Sequence, residues 1–183
     1  MALRVIAGEW KGRRLQTPAG DDTRPTSDRV REALFSMLGP LHEEDRVLDL
    51  FAGSGALGIE ALSRGAGYAT FCDEDRRAIA VVRENLVALQ AGSEVAQTHR
   101  ATAQGLLREA RARQDAYDLL FLDPPYEQAA QLGEELQEDL AAVLATGGRI
   151  VTESGRRRPM TLDRLTLAKE RRYGTTLIRI YTA

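Results

Sequence analysis

The run YDLLFLDPPY, residues 117–126, closes an apolar stretch with a carboxylate, two prolines and an aromatic ring. Read as a buried strand, it delivers Asp123, Pro124 and Tyr126 to the carboxyl edge of a sheet, where doubly wound α/β folds place their ligands. The prolines stiffen the turn and lack N–H groups, which leaves the Pro124 carbonyl free to face a ligand. An exocyclic amine on a nucleic-acid base is a poor nucleophile because its lone pair is delocalised into the ring. Two acceptors, the Asp123 carboxylate and the Pro124 carbonyl, can hold the two hydrogens of such an amine and favour the tetrahedral geometry it needs to attack a methyl group. Tyr126 would stack on the base. A site of this kind works by positioning and by stabilising charge that develops on nitrogen. The base has to leave its neighbours to enter, so the substrate is flipped from a helix or already splayed in a loop. For a four-residue match, the alternative is an ordinary proline-rich turn.

A second segment, VLDLFAGSGALG (residues 47–58), sets a strand directly before Gly53 and Gly55 and then opens a helix. Glycines are needed where the backbone turns tightly and where a ligand approaches main-chain N–H groups. Taken literally, Gly53 to Gly58 matches G-x-G-x-x-G, so a nicotinamide-dependent oxidoreductase is a competing reading. Asp49, on the strand before the loop, suits the amino group and sulfonium centre of S-adenosylmethionine better than the pyrophosphate of a dinucleotide. Asp73 ends the next strand and can accept hydrogen bonds from ribose hydroxyls under either reading.

The elements that must position these residues alternate short apolar runs with amphipathic stretches, the pattern of a parallel sheet covered by helices. Strands are expected at residues 46–50, 68–73, 94–99, 117–123 and 148–153. Helices are expected from Gly55, Asp75, Ala103 and Glu127, with Ile79, Val82, Leu86 and Leu89 forming a core stripe in the second. Two extended segments joined by a turn at Gly174 should complete the sheet as a C-terminal hairpin. Near the start, residues 3–17 read as a small hairpin turning near Lys11 and Gly12, followed by a helix capped by Thr26 or Ser27. Trp10 is read first as packing this hairpin on the core, with stacking on a nucleotide as the alternative.

At 183 residues and 43% hydrophobic, the chain can bury one sizeable core and is too short for two catalytic domains. Its single cysteine, Cys72, excludes an intrachain disulfide and reads as a small buried strand residue, and no Cys/His spacing matches a zinc site. Without a signal-like or membrane-spanning stretch, a cytoplasmic protein is expected, a monomer by default. The net charge of −2 conceals a segregation: residues 1–31 carry +3, residues 153–172 carry +4 and residues 32–152 carry −10. The two basic segments can form one phosphate-facing surface, or two solvated ones.

Beyond these patterns, RVIAGEWKGRRLQTP (4–18), TRPTSDRVREALFSML (23–38), VLDLFAGSGALGIEALSRGA (47–66) and DPPY (123–126) resemble, in content and order, the RsmD family of 16S ribosomal RNA guanine-N2 methyltransferases. The resemblance implies a Rossmann-like class I S-adenosylmethionine-dependent methyltransferase fold. That is an α/β architecture with a seven-stranded, mostly parallel sheet and a C-terminal antiparallel hairpin. It implies one domain over residues 1–183, with a basic hairpin extension at 1–25 and the catalytic core at 26–183. It assigns Asp49, Phe51, Ala52, Gly53, Gly55, Asp73, Glu74, Thr102, Ala103 and Asp123 to the cofactor, and Asp123, Pro124 and Tyr126 to the target base. Arg24 and Thr26 would lie at the mouth of the site. Arg4, Lys11, Arg13, Arg14 and Arg24 would contact phosphates of 16S rRNA in the small subunit or its assembly intermediate. Thr102 stands where related enzymes often carry an acidic or amide residue for the adenine amino group. The glycine loop and Asp-Pro-Pro-Tyr are shared with adenine-N6 and cytosine-N4 enzymes, so the identity of the base rests on the N-terminal segments.

Overall fold

The computed structural model describes residues 3–18 and 27–183. Among the described residues, five helices, α1 (Asp28–Leu38), α2 (Ala56–Ser63), α3 (Arg76–Ala88), α4 (Ala103–Ala112) and α5 (Ala129–Val143), accompany seven strands. The strands are β1 (Arg46–Asp49), β2 (Tyr68–Asp73), β3 (Ala96–Arg100), β4 (Tyr117–Leu122), β5 (Leu144–Gly155), β6 (Thr166–Tyr173) and β7 (Thr176–Thr182). They form one sheet in the order β3-β2-β1-β4-β5-β7-β6. The pairs among β1 to β5 are parallel, and β7 joins β5 and β6 antiparallel. The expected seven-stranded, mostly parallel sheet with a terminal hairpin is therefore present, and Gly174 turns that hairpin at φ +59°.

Alternation along the strands divides the core between the two faces. Val47, Phe71, Leu119 and Phe121 pack against α1, α2 and α3, while Leu48, Cys72, Leu120 and Leu122 pack against α4 and α5. The stripe Ile79, Val82, Leu86 and Leu89 is buried as its spacing requires. Ser27 caps α1, its side chain accepting from the Val30 N–H; Thr26 lies outside the described residues.

Most boundaries shift by a residue or two from the sequence reading, and three differences have a visible cause. Strand β3 begins at Ala96 rather than at residue 94, because the N–H groups of Val95 and Ala96 turn back onto the Gly92 carbonyl. Strand β5 begins at Leu144 rather than at residue 148. It runs straight out of α5, and its register against β4 shifts between Tyr117 and Leu119, beside the kink at Gly147 and Gly148. The N-terminal hairpin keeps its turn, with the Arg13 N–H bonded to the Trp10 carbonyl, and its arms bond across through Leu15 N–H to Leu3, Val5 N–H to Arg13 and Gly12 N–H to Val5, but the ladder ends there, with one bridge at Arg4 and Arg14 in place of regular strands.

The reason lies in α2. The N–H groups of Ile6 and Ala7 donate to the Glu60 carboxylate at 2.7 and 3.0 Å, and those of Glu9 and Trp10 donate to the Ser63 carbonyl and hydroxyl. Beyond Val5, the backbone donors that would extend the hairpin ladder are thus taken by a helix. Trp10 packs against the core as expected. Glu60 is fully buried and also accepts from Arg64 Nε at 2.6 Å. The Arg64 guanidinium lies 4.8 Å from the centre of the Phe35 ring, which in turn meets Phe121 of β4 at 5.8 Å. Removing one partner of a buried, hydrogen-bonded charge set typically costs about 3–5 kcal/mol. Glu60→Ala is expected to lower stability by that order in urea unfolding, with the slope unchanged; a loss below about 1 kcal/mol would show that the network is not a fastening.

Candidate active site

Parallel pairing brings the ends of β1, β2 and β4 side by side: Asp49 is in register with Phe71 on one side and Phe121 on the other. Asp49, the glycine loop, Asp73 and the Asp-Pro-Pro-Tyr turn consequently share one edge of the sheet. The chain leaves β1 through Gly53 at φ +52° and Gly55 at φ +79°, the left-handed region that glycine adopts without strain. Two carboxylates hold this loop. Asp73 Oδ2 accepts from the Gly53 N–H at 2.9 Å while its Oδ1 accepts from the Asp75 N–H, and Asp49 Oδ2 accepts from the Gly58 N–H at 3.1 Å. Gly58 lies so close to Phe71 that a Cβ there would stand 2.3 Å from the ring, whereas a Cβ on Gly53 would meet nothing within 4 Å. The third glycine of the motif serves helix-to-sheet packing, and the first faces open space.

Asp49 is buried, and its Oδ1 has no hydrogen-bond partner among the described residues. Burial pushes its carboxyl up to about 7, partly offset by the Gly58 N–H and reinforced by the charge of Asp73. A buried carboxylate with one uncommitted oxygen fits a ligand that brings a cation, and it opposes a pyrophosphate. Phe51 is half-buried, Ala52 is buried and Glu74 is exposed around the same loop. Thr102 caps α4, accepting from the Gly105 N–H at 3.1 Å, which leaves its hydroxyl one lone pair and its proton; Ala103 beside it is buried. The Cys72 thiol donates to the Ala101 carbonyl and is pushed up to about 12 by burial first and then by Asp73, an inert strand residue as expected.

Beyond β4, Asp123 is half-buried, Pro124 is buried, and the Pro125 carbonyl accepts from the Gln128 N–H to open α5. The Tyr126 ring is 39% exposed and lies over Gly155, where a Cβ would approach its Cδ2 to 3.0 Å. Its hydroxyl pairs with Thr176 Oγ1 at 2.8 Å and donates to Glu153 Oε1 at 3.4 Å. Burial raises the Tyr126 pKa; the bond to Thr176 lowers it, and the charges of Glu153 and Asp123 raise it again. The phenol is anchored, while the residue as a whole stays exposed.

The basic residues are placed unequally. Arg4 pairs with Asp28 at 3.1 Å, and Arg13 donates to the Ala88 carbonyl, while Lys11 and Arg14 are exposed in the N-terminal segment. Arg24 lies outside the described residues. The sequence reading missed Asn85. This buried side chain accepts from the Gln16 N–H at 2.7 Å and donates to the carbonyls of Gln16 and Ser54, which ties the N-terminal segment to the glycine loop. A polar residue on the Val82–Leu86 face was its only signal. His42 and His99 take no part at this edge. The His99 ring lines a cleft with Arg46, Tyr68 and Tyr117, the first residues of their strands.

The family model described as conserved hypothetical protein 95 matches residues 3–182. The candidate rRNA methyltransferase YlbH of Bacillus subtilis (strain 168) is 42% identical over 181 residues, 98% of each chain. Ribosomal RNA small subunit methyltransferase D of Haemophilus influenzae is 37% identical over 185 residues, 98% of this chain and 93% of that one. Among solved structures, the candidate methyltransferase YhhF of Escherichia coli superposes with a TM-score of 0.83 at 35% identity, covering 99% of this chain and 97% of that one.

The raised pKa of Asp49 has a thermodynamic consequence. Between the ordinary aspartate value of 3.8 and about 7, the unfolded chain has lost this proton and the folded one keeps it. The group's contribution to stability is therefore full below that window and is lost as pH rises through it. Asp49→Asn, which keeps an acceptor for Gly58, is expected to gain stability over the unsubstituted chain as pH rises from 4 to about 8, on the order of a few kcal/mol. Parallel stability curves for the two proteins across that range would contradict the assignment.

Proposed function

The chain belongs to the family described as conserved hypothetical protein 95, and from that premise we propose that it transfers a methyl group from S-adenosylmethionine to the exocyclic N2 amine of a guanine in small-subunit 16S rRNA. The observation that carries this reading is the juxtaposition, at one sheet edge, of a carboxylate-pinned glycine loop and the Asp123-Pro124-Tyr126 turn. Near-full-length similarity to relatives named for rRNA methylation supports the substrate class. A nicotinamide cofactor accounts for the loop and Asp73 but gives the Asp-Pro-Pro-Tyr turn no role.

The residues present fit S-adenosylmethionine. Asp49 and Asp73 suit its cationic groups and ribose hydroxyls, Gly53 and Gly55 admit it to the backbone, and Phe51, Ala52, Glu74, Thr102 and Ala103 complete the cradle. When bound, it supplies an electrophilic methyl group on a sulfonium sulfur that departs as a neutral thioether. The remaining work belongs to the chain. The Asp123 carboxylate and the Pro124 carbonyl hold the hydrogens of the amine and restore its lone pair. Tyr126, held by Thr176, stacks on the base. Asp123 stabilises the positive charge that develops on nitrogen and takes the surplus proton or passes it to water.

The N-terminal segment and the basic residues around 156–158 supply phosphate contacts, through Lys11 and Arg14 first, since Arg4 and Arg13 already have partners within the chain. Arg24 belongs to the same proposed contact set.

Asp123→Ala is expected to reduce methyl transfer at least ~10³-fold, the order seen when a group aimed at transition-state charge is removed, while calorimetric affinity for S-adenosylmethionine changes by less than about threefold. Retained transfer would remove Asp123 from the mechanism. Replacing Lys11 and Arg14 together with alanine should weaken binding to small-subunit RNA and reduce the slope of log affinity against log salt by about 2. An unchanged slope would return both side chains to ordinary solvated surface.

A further inference from the structure

The carboxylate of Glu153 lies one strand away from the proposed amine-binding group. Strand β5 runs parallel to β4, with Leu122 in register with Thr152, so the next residues along, Asp123 just past the end of β4 and Glu153 still within β5, are neighbours. Adjacent strands are about 4.8 Å apart. Glu153 is 6% exposed, an uncommon place for a glutamate, and its Oε1 receives the Tyr126 hydroxyl. The aromatic ring that would carry the base therefore touches one carboxylate and follows the other by three residues. Both carboxylates are close enough to act on the Tyr126 phenol.

Resting on the guanine-N2 reading above, we propose that Glu153 determines which base is accepted, by receiving the N1–H of the target guanine beside the amine held at Asp123. Guanine alone among the amino-bearing bases presents two adjacent donors, N1–H and N2–H. Adenine and cytosine place a ring-nitrogen lone pair next to their amine. Two side-by-side acceptors match guanine and set lone pair against lone pair for the others. A hydrogen bond from N1–H to a carboxylate also pushes electron density into the ring and toward N2, which favours attack. The stoichiometry is that of the parent reaction: the N2–C bond forms, the S–C bond breaks, and one N2 proton leaves to Asp123 or water. Glu153 keeps its charge throughout.

The test uses a small-subunit particle in which the guanine labelled by the unsubstituted protein has first been mapped. That guanine is then replaced by 2,6-diaminopurine, which keeps the 2-amino group but carries a lone pair at N1. The unsubstituted protein is expected to prefer guanine by at least ~10²-fold in kcat/KM, in line with sites built to hydrogen-bond a group that the analogue lacks. Glu153→Gln, whose amide can donate to N1, should lose activity on guanine and bring the two substrates within about tenfold of each other, with S-adenosylmethionine affinity unchanged as the check on folding. Equal loss on both substrates, or no loss on either, overturns the proposal. So does an unsubstituted protein that discriminates by less than about threefold, a result that needs no variant at all. Label on another base would instead overturn the guanine reading, and this proposal with it.

Discussion

The hydrogen bonds from the N–H groups of Gly53 and Gly58 to the carboxylates of Asp73 and Asp49 hold the crossing from β1 to α2, and the rest of the site is arranged around that crossing. Two positive-φ glycines let the chain reverse without strain, and the two carboxylates keep the reversal in one geometry. The arrangement leaves Asp49 poorly solvated, with one oxygen unmatched among the described residues. A folded protein tolerates such a group where its unfavourable state is relieved by a ligand, and perturbed carboxyls concentrate at functional sites for that reason.

From this loop, two fastenings run outward. Asn85 bonds to Ser54 on one side and Gln16 on the other, so α3 ties the N-terminal segment to the loop. Glu60, from the helix that the loop opens, takes the N–H groups of Ile6 and Ala7 and the guanidinium of Arg64, whose contact with Phe35 continues to Phe121 next to the Asp-Pro-Pro-Tyr turn. Arg31, buried in α1, donates to the Arg4 carbonyl and to Asp28, closing the same patch. The glycine loop, the Asp-Pro-Pro-Tyr turn and the basic N-terminal segment are thus parts of one packed body.

Most of the scaffold was legible in the sequence because it follows from local patterns. Apolar runs marked the strands, glycine spacing marked the loop, and Ser27, Asp75 and Thr102 lie at helix starts, where their side chains cap. The hidden parts depend on tertiary partners. The N-terminal arms read as a hairpin and bond as one as far as Val5, but Glu60 and Ser63 claim the donors of Ile6, Ala7, Glu9 and Trp10, and nothing in the alternation of residues 3–15 reveals that claim. Glu60, Asn85 and Glu153 looked like ordinary polar residues within a helix or strand; their burial depends on what packs over them. Strand β5 was read short because a register shift at a glycine pair is invisible to period-two alternation. Asp123 and Tyr126 were legible because the prolines between them interrupt every regular pattern.

Labelled methyl transfer to small ribosomal subunits from cells lacking the enzyme, followed by nucleoside analysis, tests the central claim most directly. The account predicts label in N2-methylguanosine of 16S rRNA. Label confined to adenosine or cytidine, or no label under conditions where S-adenosylmethionine is bound, would contradict it.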